Sequence, residues 1–180
     1  MGEGYRIEPA RRDDAEAITA IYAHHVRHGI SSFELEPPDE PAMARRMGQV
    51  LAAGWPWLVA RDAAGAVLGY AYASQFRDRV AYKYTCENSI YIRDDMRGQG
   101  IGRALLANLI VAAERAGFRQ MIAVIGGPEP ASERLHAACG FETAGRMRNV
   151  GRKLGRWLDT LYMQRALSYS ADDPPPSEPA

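Results

Sequence analysis

The sequence predicts a single α/β domain of the α+β type, on three observations. Over 180 residues the chain is 47% hydrophobic and 24% charged, ordinary globular usage with enough apolar surface for a core. Short β-type runs alternate with 3.6-period helical runs along its length, giving seven strand candidates and four helix candidates. The segment "MIAVI" (121–125) is short and wholly apolar, as a strand is when helices cover both faces of its sheet.

The elements follow in order. "YRIEP" (5–9) reads as a strand, and Asp13-Asp14 opens a helix through Ala17, Ile18, Ile21, Tyr22 and Val26, closed by Gly29. After the polar loop "SSFELEPPDEP", Asp39 can cap a second helix with Pro41 in its first turn, running to Ala53. "WLVARDAAGAVLGYAYASQF" has two apolar runs about Asp62-Ala63-Ala64-Gly65, a hairpin, and "YTCENSIYI" (84–92) is the next strand. Ile101, Leu105, Leu106, Leu109, Ile110 and Ala113 trace one face of a third helix, ended by Gly117. The strand "MIAVI" comes next, then a short helix in "ASERLHAACGF" and two final strands about Gly151 to Gly155. The domain is expected to occupy residues 1–168, with the proline-rich 169–180 as a disordered tail.

Lys plus Arg equals Asp plus Glu at 22 each, which argues against nucleic-acid and membrane-surface partners and for a small one. No run approaches a membrane span, no signal-peptide core opens the chain, and Cys86 and Cys139 form no C-x-x-C, so a reducing cytoplasm is expected. His24 and His28 have i, i+4 spacing without an H-E-x-x-H partner, and no metal is expected.

"DDMRGQGIGRALL" (94–106) carries the chemistry. Clustered glycines imply that backbone contacts something closely. A Walker loop would need a Gly-Lys pair that is absent, and a dinucleotide fingerprint would need glycine where Arg103 stands. What remains is R-x-x-G-x-G, Arg97 to Gly102, ahead of a strong helix. There, free N–H groups and the helix dipole favour an anion such as a pyrophosphate. A turn required only for tight packing is the alternative.

This loop, the helix "LLANLIVAAERAGF" and "ASERLHAACGF", in that order, resemble the GNAT N-acetyltransferases from residue 5 to about 167. The resemblance implies the GNAT fold, a central mixed, mostly antiparallel twisted sheet of about seven strands with helices on both faces, and acetyl-CoA as cosubstrate. Its pyrophosphate would lie on Arg97, Gly98, Gln99, Gly100, Ile101, Gly102 and Arg103. Its pantetheine would pair with the backbone of Ile90, Tyr91 and Ile92, as an extended chain adds to an open sheet edge. Ser132, at a helix start, is a further donor, whereas Glu129 stands where relatives often carry asparagine and suits that contact less well. "GWPWLVARDAAGAVLGYAYA", "FRDRVAYKYTCENSIYI" and "GRKLGRWLD" are similar to the phosphinothricin and methionine sulfoximine acetyltransferase branch. That branch implies transfer to the α-amine of a small amino-acid-like substrate, and a homodimer.

An α-amine titrates near ~7.7–8.0, so a base helps it attack at neutral pH. Glu87, in an otherwise apolar and aromatic strand beside the expected acetyl position, is the candidate base. Expulsion of a thiolate, whose acid titrates near ~8.5, benefits from a proton donor. His136 stands where this branch carries histidine and is the candidate acid, with a structural helix histidine as the alternative. A backbone N–H of residues 89–91 would stabilise the oxyanion. Arg77 and Arg79 suit an anionic substrate group, Phe33 matches a pocket-lining position, and Asn88 and Ser89 follow the base closely enough to touch substrate. Cys86 is read as packing, and Trp55, Trp57 and Trp157 as core or dimer surface. Acetylation of protein N-termini or other amines, and a CoA-binding sensor without turnover, are the rival readings.

Overall fold

Alternation along one strand builds both layers of the protein. In the computed structural model, which describes residues 4–167, β2 (Trp57–Asp62) sends Trp57 and Val59 to one face of the sheet and Leu58 and Ala60 to the other. Trp57 and Val59 pack with α1 (Ala15–His28) and α2 (Glu40–Ala52) through Ile18, Val26, Met43 and Met47. Leu58 and Ala60 pack with α3 (Ile101–Arg115) through Leu105, Leu106 and Leu109, none of which is exposed to solvent. A period of two in the strand and of 3.6 in the helices makes these faces meet.

The remaining strands are β1 (Tyr5–Pro9), β3 (Val67–Gln75), β4 (Thr85–Ile92), β5 (Gln120–Gly126), β6 (Glu142–Lys153) and β7 (Arg156–Ala166), with α4 (Pro130–Ala138) between β5 and β6. The sheet order is β1-β2-β3-β4-β5-β7-β6, and every neighbouring pair is antiparallel except β4 and β5. The mixed, mostly antiparallel seven-stranded sheet with helices on both faces agrees with the sequence expectation. So does the Asp39 cap, whose carboxylate accepts from Ala42 N–H at 2.8 Å. Residues 1–3 and 168–180, including the tail expected at 169–180, lie outside the described residues.

One pairing positions the site. β4 bonds β5 only from Thr85 to Asn88, opposite Gln120 to Ala123, while β5 continues along β7 as far as Gly126 opposite Thr160. Beyond Asn88 the two parallel strands therefore separate. The edge of β4 from Ser89 to Ile92 is left without a strand neighbour on that side, though β3 still holds its other side. Among the described residues, no helix is long and apolar enough to cross a membrane.

Candidate active site

The wedge between the separated strands is a cavity of about 430 Å³. β4 contributes Glu87, Asn88, Ser89, Ile90 and Tyr91, β5 contributes Val124 and Gly126, and α4 contributes Ser132 and His136. The loop after α1 closes it with Ser32, Phe33 and Glu34. A second cavity of about 240 Å³ runs from Ile90 and Ile92 to Arg97, Gly98, Gly100, Ile101 and Gly102 at the start of α3. Ser31, Ile90 and Ser132 line both, so the two cavities adjoin, with the glycine loop at the far side of one and Glu87 in the other.

The loop end fits an anion. Gly98 and Gly100 have φ of 76° and 81°, in the left-handed region that suits glycine, and Gly100 is the N-cap of the 15-residue α3. A Cβ on Gly98 would meet nothing within 4 Å, so the loop surface there is open to an incoming group. Arg97 is held by Asp94 at 3.3 Å and by His25 Nδ1 at 3.4 Å. His25 Nε2 lies 2.8 Å from Ile92 O and must donate to that carbonyl, leaving Nδ1 to accept from Arg97. Burial lowers the pKa of His25, which favours the neutral ring this pattern needs. His25 thus ties the open end of β4 to the glycine loop. The "HHVRH" run shows that α1 carries it, but nothing local to the run marks this role. No group of three His, Cys, Asp or Glu side chains able to hold a metal occurs among the described residues.

At the other end, burial raises the pKa of Glu87, with Arg77, whose Nη1 lies 4.0 Å from its Oε2, opposing the shift. His136 is 2% exposed and its pKa is lowered by burial. Its Nδ1 lies 2.8 Å from Ser132 O, one helical turn back, and its Nε2 lies 3.0 Å from Asn88 Oδ1. The Asn88 amide is oriented by its own Nδ2 donating to Ile122 O at 3.1 Å. Asn88, expected to touch substrate, is also bound to this histidine, a link no local pattern reveals. Cys86 is fully buried and its thiol is pushed up to about 12, in keeping with a packing role.

The other expected residues divide. Phe33 lines the cavity and seats its ring where a Cβ on Gly126 or Gly151 would overlap it. Ser132 borders both cavities, and Glu129 caps α4 beside it without forming a side-chain cap bond. Gln99 and Arg103 do not line either cavity, and the Gln99 amide bonds Asp95 O and Met96 Sδ. Arg77 reaches Glu87 at 4.0 Å, but neither it nor Arg79, in the same loop, lines either cavity. Trp57 is core, Trp55 packs against Phe118, and Trp157 is exposed. Lys153 was not marked by the sequence: a lysine in "GRKLGR" beside a hairpin turn reads as solvated, yet it is 4% exposed and donates to Ser32 O at 2.7 Å.

Residues 7–162 match the acetyltransferase (GNAT) domain family. The chain is 54% identical over 164 residues to a phosphinothricin N-acetyltransferase of Alcaligenes faecalis, covering 90% of this chain and 82% of that one. It is 40% identical over 168 residues to an L-methionine sulfoximine/L-methionine sulfone acetyltransferase of Pseudomonas aeruginosa, covering 93% and 98%. A crystal structure of a GNAT superfamily phosphinothricin acetyltransferase from Sinorhizobium meliloti, in complex with acetyl-CoA, superposes with a TM-score of 0.93 at 47% identity, covering 96% and 93%.

Proposed function

Since this chain belongs to the GNAT acetyltransferase family, we propose that it acetylates the α-amine of a small amino acid or amino-acid analogue, phosphinothricin- or methionine sulfoximine-like, by direct transfer from acetyl-CoA. The observation that carries this reading is the pair of adjoining cavities that reach from the glycine loop to Glu87, with an unpaired strand edge along them. Acetyl-CoA supplies an activated acyl carbonyl when bound. Gly98, Gly100, Ile101 and Gly102 would hold its diphosphate through backbone N–H groups, with Arg97 beside them. The Ser89–Ile92 edge offers N–H and C=O groups to its amide chain.

Glu87 takes the proton from the substrate ammonium, directly or through one water. Burial suits it to the task, because a carboxylate raised toward neutrality accepts a proton more readily than an ordinary one. His136 supplies a proton to the leaving thiolate. Its two ring nitrogens face two acceptors, Ser132 O and Asn88 Oδ1, which the protonated ring satisfies, while burial opposes that form. A ring balanced in this way can both take up and release a proton. Ser89 and Phe33, which line the cavity, are the remaining substrate contacts, with Arg77 acting from beside Glu87.

A cytoplasmic homodimer is the working form we assign. Two buried free thiols suit a reducing compartment, and the exposed apolar side chains Met147, Val150, Leu154 and Trp157 on the β6–β7 hairpin suit a subunit contact. Release of thiol from acetyl-CoA in the presence of a panel of α-amino acids and analogues tests the activity. Tight CoA binding with no release for any of them would overturn it in favour of a sensor.

A further inference from the structure

The cavity wall contains two carboxylates that are already answered and, behind it, one cation that is not. Glu34 pairs with Arg46 at 2.8 Å and Glu87 faces Arg77 at 4.0 Å. Lys153, at the end of β6, is 4% exposed, and its ammonium donates to the Ser32 carbonyl at 2.7 Å. Among the described residues that carbonyl is its one hydrogen-bond acceptor, and no carboxylate pairs with it. Glu34 acts on it only at longer range, and burial moves the amine pKa below its ordinary value. An ammonium buried against a neutral partner is unfavourable unless something negative answers it.

Ser32 lines the cavity, so a single residue stands between this charge and the cavity. The loop carrying Ser32 has anchors besides Lys153. Ser32 Oγ bonds Tyr22 OH at 2.9 Å and accepts from Glu34 N–H at 3.2 Å, and the Phe33 ring is wedged against Gly126 and Gly151. Charge and tether are therefore separable at this position.

We infer that Lys153 is a specificity-determining residue, whose buried charge makes the cavity select amino acids that carry a second anionic group on the side chain. This rests on the amino-acid acetyltransferase reading above. The field of an ammonium one residue behind the wall acts on a negative group in the cavity, and it acts far less on an uncharged one. Phosphinothricin, with its phosphinate, and methionine sulfone, which has no side-chain charge, differ mainly in that respect.

The test measures kcat/KM for these two acceptors at saturating acetyl-CoA in the wild type, Lys153→Met and Lys153→Gln, with acetyl-CoA KM and thermal unfolding as checks on folding. Phosphinothricin should lose about tenfold or more in both variants, while methionine sulfone stays within about twofold and acetyl-CoA KM is unchanged. An equal loss for both acceptors would reduce Lys153 to a tether, and no loss for phosphinothricin would remove it altogether. A wild type that turns over methionine sulfone better than phosphinothricin overturns the inference without any variant. A wild type that acetylates neither acceptor nor any other α-amine defeats the enzymatic reading itself, and the two failures are thereby distinct.

Discussion

His136 and Asn88, 48 residues apart in the chain, meet with Nε2 3.0 Å from Oδ1, and the same amide donates through Nδ2 to Ile122 O. The histidine on α4 is thereby indexed to β4 and β5 at the point where those strands separate. Replacing Asn88 by Asp puts a carboxylate opposite Nε2, which favours the imidazolium. His136 should then titrate at higher pH than in the wild type, as read by NMR of its ring protons. Asn88→Ala should lower kcat on the order of tenfold with acetyl-CoA KM unmoved. An Asp variant with the wild-type titration would sever the link.

Glu87→Gln should lower turnover by about 10² or more at neutral pH, with the deficit shrinking at high pH as free amine becomes plentiful. Because burial raises the Glu87 pKa, the acid limb of the wild-type kcat/KM profile should lie above the ordinary carboxylate range. Arg77 holds that pKa down, so Arg77→Ala should move the limb higher still. The stability sign is opposite to the activity sign. A carboxyl whose folded pKa is raised binds protons more tightly folded than unfolded, so its contribution is present below the unfolded pKa and lost as pH rises through the folded one. At pH 7 the ionised Glu87 is a liability, and Glu87→Gln should melt at a higher temperature than the wild type.

Gly100→Ala tests the anion cradle. At φ of 81° a Cβ costs roughly 1 kcal/mol or more of backbone strain, at the N-cap where α3 begins. Acetyl-CoA KM should rise on the order of tenfold, with the acceptor KM little changed. Calorimetric titration with CoA measures the same loss without turnover.

Gly151→Ala should do the converse. A new Cβ would overlap the Phe33 ring, displacing the acceptor wall and costing about 1–3 kcal/mol by overpacking. Acceptor KM should rise while CoA binding stays as in the wild type. Denaturant unfolding separates the stability component from the kinetic one.

Much of the fold is legible because its signals are local. The apolar face of α3 repeats every 3.6 residues, Asp39 and Pro41 announce α2, and Gly65 and Gly117 mark a turn and a helix end by their positive φ. The glycine loop is legible for the same reason: spacing within six residues distinguishes it from the Walker and dinucleotide loops. Glu87 was readable as a carboxylate among apolar and aromatic neighbours in a strand.

What the sequence determined by itself is therefore the set of elements and the glycine loop, with Glu87 and His136 offered as candidates. Only the tertiary structure decided that β4 and β5 part after Asn88, that Asn88 turns to His136, that His25 reaches Ile92 across 67 positions, and that Lys153 lies buried against Ser32 across 121. Periodicity and turn chemistry act between residues a few places apart and leave a trace in composition. The strand separation and these contacts depend on how whole layers settle against one another, and a lone lysine or asparagine looks the same in sequence whether solvent or a carbonyl receives it.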